Sequence, residues 1–587
     1  MKTIQKLCAF LALVLPLHLN AQPGLETTVE GRILDQKTSE PIAYANIFNK
    51  RTQKGTISNL DGYFKLSVER RSDTLVVSFL GYQSTLLSLA ERKNFYEVRL
   101  PESAQMLGEV TITPGDDAPF YDLIRACKNN QLKRPQTSKI YYGLKSYVDE
   151  TQVELTECFY NGTLAGYDLD SLQLKTGRFA LQPKQKRFFI SKESSRAISM
   201  LKLLDKNPWF PVSPLSLTKQ QLKKSYYMDL FKQYRDENRD SVVVLNFVPR
   251  DTSGVFFSAQ LWINETKKYL MKVELSCPNA TRHPFLPLFQ TDSINQVALQ
   301  ITRTFTATAG QAHFQHVDFG YKVTYKSRDN KVYQVATQAV LYAYDFGNAF
   351  WLPKFDFTAD VTDDFRKINA MPYQAYFWEN NEELKLNDQQ NQNELFFKHP
   401  DNLTNQTAFS KNAYTPNGIL EHPYVFWTRN RLSFTGKYER EAASGKTTSG
   451  SVLEKPYRIG VKLFLDANLL AGRMHLTTAA VFDPLISYYR LPVTDTVRCF
   501  VNLYFDLMEL ERQALEEEIR QSDQSTKTIE RLYEARLTKM EALSRQYFGE
   551  VERGERKKGM KQWNDLVKEK LGIDNIEFFK LYRDSGK

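Results

Sequence analysis

The chain has 587 residues and a net charge of +10, and 42% of its residues are hydrophobic and 25% charged. At about 150 residues per domain, this length predicts about three or four domains. The ordinary apolar fraction excludes a wholly disordered chain. The one long apolar run lies at the N-terminus, which excludes a polytopic helical membrane protein. Basic runs are few, so nucleic acid is not an expected partner.

Residues 1–21 have the pattern of a secretory signal peptide. Lys2 and Lys6 supply the positive start, and the apolar segment that follows is too short to cross a bilayer. Cleavage is expected after Ala21, which leaves Gln22 as the first mature residue. The sequence therefore predicts an exported protein, in the periplasm or associated with the outer membrane.

Strand and helix patterns divide the remainder of the chain. Residues 26–113 alternate in short strands with turn residues between them, which predicts a small antiparallel β-sandwich. Residues 114–378 follow as a larger antiparallel β-rich domain, and 379–425 as an Asn/Gln-rich loop or linker. Residues 426–492 are expected to be a β segment packing on the middle domain, and 493–587 a set of helices. The fold class is thus mainly β with α.

A spaced set of residues in the first domain carries a family resemblance. The set begins Val29-x-Gly31-x-Ile33-x-Asp35 and Pro41-Ile42-x-x-Ala45-x-Ile47. It continues Asp61-Gly62-x-Phe64-x-Leu66 and Val77-Ser78-Phe79-x-Gly81-Tyr82, and closes Leu107-Gly108-Glu109-Val110. These residues resemble the carboxypeptidase regulatory-like domain, a prealbumin-like β-sandwich that often opens outer-membrane receptors. The resemblance implies a structural or interaction module without catalytic residues.

Two larger proteins that contain such a domain fit this sequence poorly. A zinc carboxypeptidase needs His and Glu in an H-x-x-E pair, and no mature histidine has Glu three residues on. A TonB-dependent receptor needs a long series of amphipathic barrel strands, whereas this chain ends in charged helices. Apart from the family resemblance, the dipeptide Asp61-Gly62 is typical of a β-hairpin turn, so a hairpin is expected there.

The middle domain predicts long antiparallel strands, among them Ser241–Val248, Tyr269–Ser276, Asn295–Thr306, His313–Tyr325 and Phe355–Val361. The phrases LWINETKKYLMKVEL and FWLPKFDF resemble the half-barrel of lipoprotein carrier proteins. That resemblance implies a curved sheet with a concave apolar face suited to lipid or a lipid-linked protein. A plain sheet packed on its own helices is the alternative.

Loop aromatic residues are the candidate ligand-binding groups, namely Trp209, Phe210 and Trp351. Their alternative role is to close the open end of a sheet. The mature cysteines Cys127, Cys158, Cys277 and Cys499 contain no C-x-x-C pair. Buried thiols are expected, with a Cys127–Cys158 disulfide as the alternative.

The helical tail places apolar residues at three- to four-residue spacing in two long segments, which predicts an antiparallel helical hairpin with its turn at 521–526. On a regular strand His313 and His316 would point to opposite faces, so shared metal ligation would need a bulge, and no metal site is expected. No catalytic residue or cofactor is assigned.

The sequence therefore favours a non-enzymatic envelope binding or scaffolding protein, with an envelope protein, glycan or lipid as partner and with peripheral membrane association as a further expectation. A periplasmic carrier of lipid or lipoprotein is the first alternative. A glycan-active hydrolase with carboxylates on sheet loops is the second.

Overall fold

The structure, a computed structural model, describes residues 27–102, 118–182, 194–380, 387–405, 424–434 and 456–582, except positions 53–54, 60, 71, 80, 92, 94, 237–238, 288–289, 309, 360, 362 and 471–472. The predicted signal peptide and the cleavage site at Ala21 and Gln22 lie outside these residues. The large hydrophobic cores belong to an N-terminal unit, a central sheet and a C-terminal unit.

The N-terminal unit is a sandwich of two small sheets. One sheet has the order β4-β1-β7 and the other β3-β2-β5-β6. Gly31 lies in the middle strand of the first sheet, where a Cβ atom would approach the Tyr96 carbonyl oxygen to 2.3 Å and the Phe64 ring to 2.6 Å. The glycine of the sequence motif is therefore required by close packing. The strands are β1 Thr27–Asp35, β2 Asn46–Asn49, β3 Gly55–Ile57, β4 Tyr63–Val68, β5 Thr74–Ser78, β6 Thr85–Ser88 and β7 Tyr96–Leu100.

The central unit is one antiparallel sheet of 11 strands in the order β11-β12-β13-β14-β15-β16-β17-β8-β9-β10-β18. Most of its strands alternate inward and outward residues, which fills one face with apolar side chains. The strands are β8 Gln136–Val148, β9 Thr151–Ala165, β10 Asp168–Leu181, β11 Tyr226–Arg235, β12 Ser241–Pro249, β13 Ser258–Asn264, β14 Tyr269–Cys277, β15 Ser293–Thr308, β16 Gln311–Lys326, β17 Val332–Tyr344 and β18 Leu403–Thr404.

This sheet is strongly curved, because residues far apart in strand order touch across its inner face. The Tyr167 hydroxyl, between β9 and β10, accepts a hydrogen bond from the Leu270 amide on β14 at 3.1 Å. Arg303 on β15 donates to Asp168 on β10 at 2.8 Å. Such contacts need a sheet folded round on itself, as the predicted half-barrel requires.

Short helices accompany the sheet. Helix α1 and the segment that contains α2 and α3 contribute side chains to the core on the concave face. Helix α4 also contributes to that core, through Phe365 and Ile368, and α5 and α6 follow it along the chain. These helices are α1 Ala118–Asn129, α2 Ser194–Met200, α3 Lys219–Ser225, α4 Asp364–Ala370, α5 Ala375–Asn380 and α6 Asn387–Lys398.

The C-terminal unit packs a β-hairpin on a bundle of helices. Its core includes Leu463 and Leu465 from the hairpin and Phe500, Leu507 and Tyr547 from the helices. The elements are β19 Val425–Phe426, β20 Tyr457–Arg458, β21 Val461–Leu470, β22 Arg473–Phe482, β23 Tyr488–Tyr489, α7 Asp495–Gln521, α8 Thr526–Val551, α9 Lys557–Leu571 and α10 Asn575–Phe578. The predicted helical hairpin is confirmed as α7 and α8.

The fold class is confirmed, and three local expectations differ from the structure. Asp61-Gly62 is not a hairpin turn, because β3 and β4 belong to opposite sheets and the turn crosses between them. Residues 355–359 and 361 form no strand, and the Val361 amide donates to the Thr358 carbonyl oxygen at 2.8 Å, which closes a turn there. The polar stretch 379–425 holds helix α6 and strand β18, because Glu394 anchors the helix to the sheet and β18 pairs with β10.

Candidate functional site

The concave face of the central sheet is filled by the chain itself. A covering segment, residues 194–217 and called the cover below, lies on this face and buries Ile198, Leu203 and Phe210 in the sheet's core. The Phe210 ring meets Phe319 of β16 edge-on at 6.2 Å between centroids. The face predicted to hold a ligand is therefore occupied by apolar side chains of the protein.

One buried ion pair holds the cover to the sheet through its main chain. The Arg303 guanidinium donates to the Leu201 carbonyl oxygen at 2.6 Å, to that of Ile198 at 3.2 Å, and to Asp168 at 2.8 Å. The same carboxylate accepts from the Leu203 amide at 3.0 Å. Burial raises the pKa of Asp168, and the charge of Arg303 opposes that shift. The pair thus binds the main chain of the cover, in addition to the packing of the cover's apolar side chains.

A small cavity with both polar and apolar lining residues lies under α2 and α4. The Asp364 carboxylate accepts from the Tyr160 hydroxyl at 3.1 Å and from Ser195 at 3.4 Å, and Glu154 and Cys158 also line the cavity. Burial raises the pKa of Asp364 and of the Cys158 thiol, which is therefore not an activated nucleophile. Glu154 and Asp364 both line this cavity, and a glycosidase also uses a pair of carboxyl groups, which must flank a sugar. The space here is about the size of one water molecule.

The N-terminal unit docks on the convex face of the sheet through Tyr44. Its hydroxyl donates to Asp318 on β16 at 2.8 Å, and its ring packs on His316 at 4.2 Å between centroids. Gln315 donates to Asn46 at 2.7 Å in the same contact. Burial raises the pKa of Asp318 and lowers that of His316 to about 3. Neither ring nitrogen of His316 has a hydrogen-bond partner within the described residues.

The C-terminal unit is joined to β10 by a second buried pair. Lys175 lies 2.5 Å from Asp466 on β21, and both side chains are fully buried. The ammonium group also donates to the Trp351 carbonyl oxygen at 2.7 Å, and Asn468 donates to Asp466 at 3.1 Å. Burial lowers the pKa of Lys175 and raises that of Asp466. The three units are therefore connected by specific polar contacts rather than by linkers alone.

Arg178 anchors α6 to the convex side of β10. Its guanidinium lies between the rings of Trp378 and Phe397, 4.6 and 4.3 Å from their centroids. It is paired with Glu157 at 2.6 Å and with Glu394 of α6 at 2.8 Å. This arrangement of cation, rings and carboxylates is a packed joint, with its donors used by the protein itself.

The predicted aromatic candidates do not form one site. Trp209 is exposed, Phe210 is buried in the core of the central sheet, and Trp351 is half-buried against the C-terminal core. The four described cysteines are buried and free, so Cys127 and Cys158 are not bonded to each other. No group of three or more His, Cys, Asp or Glu side chains in the described ranges could hold a metal ion.

The buried pairs were missed by the sequence analysis, although one left a signal. Arg303 occupies an inward position in the alternation Val297, Leu299, Ile301, Arg303, Phe305 on β15. A charged residue in an apolar register needs a buried partner. The partner itself, Asp168, lies 135 residues away and could not be named from spacing.

The N-terminal unit has relatives among known proteins. Residues 29–112 match the family model described as CarboxypepD_reg-like domain. The N-terminal unit is a CarboxypepD_reg-like domain. A stretch of 87 residues is 40% identical to the TonB-dependent receptor SusC of Bacteroides thetaiotaomicron, and this stretch is 15% of the chain and 8% of the receptor. The chain thus shares this one domain with the receptor and spans a small part of its length.

Two solved structures match part of the chain at low identity. A putative outer membrane lipoprotein-sorting protein domain from Vibrio parahaemolyticus is 12% identical, with a TM-score of 0.18, and the match covers 38% of this chain and 90% of that one. A LolA superfamily protein from Nitrosomonas europaea is 11% identical, with a TM-score of 0.17, over 42% and 97% of the chains. The curvature of the central sheet is shown by the hydrogen bonds across its inner face, independently of these two matches. Among the described residues, no helix is both long and apolar enough to cross a membrane.

Proposed function

We propose that this is a non-enzymatic binding and scaffolding protein of the cell envelope. The observation that supports it is the way the units are joined. The CarboxypepD_reg-like domain and the C-terminal unit are fixed to different strands of one sheet, β16 and β10, by Tyr44–Asp318 and Lys175–Asp466. A body joined in this way presents its outer surfaces in a constant geometry, which is what a scaffold must do.

The filled concave face supports surface binding over an enclosed active site. Phe210 and Ile198 occupy the inner face, and the cavity beside Asp364 has room for about one water molecule. A sugar ring or an acyl chain does not fit there without movement of the cover. The envelope location is supported by the predicted signal sequence and by the domain shared with a TonB-dependent receptor.

The first test is fractionation of the native cells followed by native mass spectrometry of the full chain from its membrane fraction. We expect the protein in the envelope fraction, at the mass of the mature chain without a bound lipid. Recovery in the cytosolic fraction would contradict the proposal. So would glycan cleavage by the purified chain that Asp364→Asn abolishes and that the exposed control Asp401→Asn leaves intact.

A periplasmic carrier of lipid or lipoprotein is the second candidate, and the cover favours it. The cover masks a large apolar face and is held partly by the Arg303–Asp168 pair through main-chain atoms, so loss of this pair would weaken its attachment. Displacement of the cover would turn the filled face into a groove wide enough for acyl chains.

The carrier proposal is tested by adding a lipid ligand to the purified protein, rather than by looking for a lipid that co-purifies with it. Full-length Arg303→Gln and the exposed control Arg99→Gln are mixed with a lipopeptide bearing acyl chains and analysed by native mass spectrometry. A carrier predicts a retained lipopeptide in wild type, with a changed amount in Arg303→Gln and wild-type behaviour in Arg99→Gln. Failure of all three proteins to retain it rejects the carrier and leaves the scaffold standing.

A further inference from the structure

One end of the central sheet gathers several connections. Because neighbouring strands run antiparallel, the β12–β13 connection, the β14–β15 connection and the start of β11 lie at the same end. The Val212 amide donates to the Val255 carbonyl oxygen at 2.8 Å, and the Thr281 amide to that of Gly254 at 3.2 Å. Residues 205–212, 248–257, 278–287 and 226–227 therefore form one surface, called the loop end below.

Large apolar side chains project from the loop end into solvent. Their exposed fractions are 51% for Trp209, 57% for Tyr227, 45% for Val248 and 76% for Leu286. Tyr227 and Val248 are direct partners on β11 and β12. The exposed positions are also held firmly, because the residues next to Trp209 and Leu286 are buried: Phe210 and Phe285 both pack on Phe319. Because their neighbours are anchored in the core, these exposed side chains form an ordered apolar patch.

The same surface carries positive charge. Lys206, Arg250 and Arg282 are exposed there, and Lys224 is exposed beside it in α3; no ion pair with a described residue is seen for any of them. The acidic residues on these loops, Asp205 and Asp251, are fewer. The Arg250 guanidinium lies 3.9 Å from the centroid of the Tyr227 ring, so a cation and an aromatic ring are presented together.

We propose that the loop end binds the surface of an anionic lipid bilayer. Trp and Tyr side chains favour the headgroup level of a membrane, and Leu and Val gain free energy by entering the acyl boundary. Lysine and arginine at the rim are attracted to anionic headgroups. A protein partner of acidic character would need a continuous groove, whereas these side chains project separately from different loops. This proposal is independent of what the rest of the sheet binds.

The test is flotation of the full chain with vesicles of phosphatidylethanolamine and phosphatidylglycerol, and with vesicles of phosphatidylcholine alone. We expect binding to the anionic vesicles, about tenfold or more weaker binding to the neutral ones, and weakening with added salt. The double variant Trp209→Ser with Leu286→Ser should bind at least about tenfold more weakly. Lys206→Gln with Arg282→Gln should weaken binding to anionic vesicles alone.

Matched controls separate this surface from general hydrophobicity. Leu86→Ser and Leu469→Ser alter leucines that are 65% and 68% exposed in the other two units, and they should bind as wild type does. Circular dichroism checks that all variants fold. Equal loss in the control variants, or no vesicle binding by the wild type, overturns the proposal. Self-association in sedimentation that the Trp209→Ser and Leu286→Ser variant abolishes, without vesicle binding, assigns the surface to copies of this chain instead.

Discussion

Buried charges occupy two joins of this protein. Lys175–Asp466 lies where the central sheet meets the C-terminal unit, and Arg303–Asp168 joins two strands of that sheet beneath the cover. Removing two charges from water costs about as much as their attraction returns, so such pairs add little net stability. An unpaired partner, however, is heavily penalised. These pairs therefore act against alternative arrangements of the C-terminal unit and of the cover more than they add to the free energy of unfolding.

This reasoning gives a prediction for the join between β10 and β21. Lys175→Met leaves the Asp466 carboxylate buried without its cation, and we expect a loss of about 3–5 kcal/mol in the free energy of unfolding. The double variant Lys175→Met with Asp466→Leu should recover most of that loss. Urea denaturation of the full chain measures both. Lys37→Met, at the exposed Lys37–Glu102 pair, is the control and should cost under about 1 kcal/mol. Equal costs at the two pairs would contradict the prediction.

His316 predicts an acid-sensitive contact at the docking surface. An unfolded histidine binds a proton near pH 6.5, whereas burial lowers the pKa of His316 in the fold to about 3. As pH falls between these values, the unfolded chain binds a proton that the folded chain does not, so the free energy of unfolding decreases. Tyr44, Asp318 and Lys272 face the ring. The raised pKa of Asp318 acts in the opposite sense, because protonation of that buried carboxyl is favoured by the fold.

His316→Phe isolates the histidine from these neighbours. The substitution keeps a ring against Tyr44 and removes two buried nitrogens without partners. We expect higher stability than wild type at neutral pH, and a flatter loss of stability between about pH 6.5 and pH 4, by about 1.4 kcal/mol per pH unit at most. Thermal denaturation over that range measures the slope. The exposed His399→Phe is the control, and a slope unchanged by His316→Phe would refute the argument.

At the scale of single elements, the strands and helices were predicted mainly from the regular spacing of apolar residues along the sequence. The sequence predicted the inward residues of β15 and β16, because in a strand every second side chain points to the same face. It predicted the apolar faces of α7 and α8, because in a helix every third or fourth side chain does so. Strand β11 was not recognised, because it lies at a sheet edge and carries a bulge at Phe231, so its apolar residues do not alternate. The Tyr44 and Lys175 contacts could not be predicted, since each joins segments more than 250 residues apart.

Helix α6 shows how a polar segment becomes ordered by one anchor. Its sequence is rich in Asn and Gln, and the apolar residues Leu395, Phe396 and Phe397 stand close to Glu394 at its C-terminal end. Glu394→Gln removes the charge that pairs with Arg178, and we expect about fivefold faster amide exchange across Asn387–Lys398 from a loss of about 1 kcal/mol. Hydrogen–deuterium exchange measures this. Lys398 is exposed and also pairs with Glu394, at 3.7 Å, so the control Lys398→Gln should leave amide exchange in the helix unchanged.

At the scale of the whole molecule, the CarboxypepD_reg-like domain is a fixed part rather than a tethered one. Tyr44 adopts a left-handed backbone with φ of 61°, a conformation that is costly for a bulky residue. That cost is offset where the side chain docks, through its hydroxyl on Asp318 and its ring on His316. Strain at this position is therefore evidence that the contact, and not the domain alone, determines the conformation.

Tyr44→Asn tests whether that contact holds the domain in place. Asparagine tolerates the left-handed backbone, so the domain should stay folded while its ring and hydroxyl contacts are lost. We expect faster amide exchange at Gln315–Asp318 on β16, unchanged exchange in the sandwich core around Ile33 and Val77, and a separate early step in thermal denaturation. Phe95→Asn, at an exposed ring of the same domain, is the control. If Tyr44→Asn and Phe95→Asn give the same exchange pattern, the domain is held by other contacts, and the constant geometry that supports the scaffolding proposal does not depend on Tyr44.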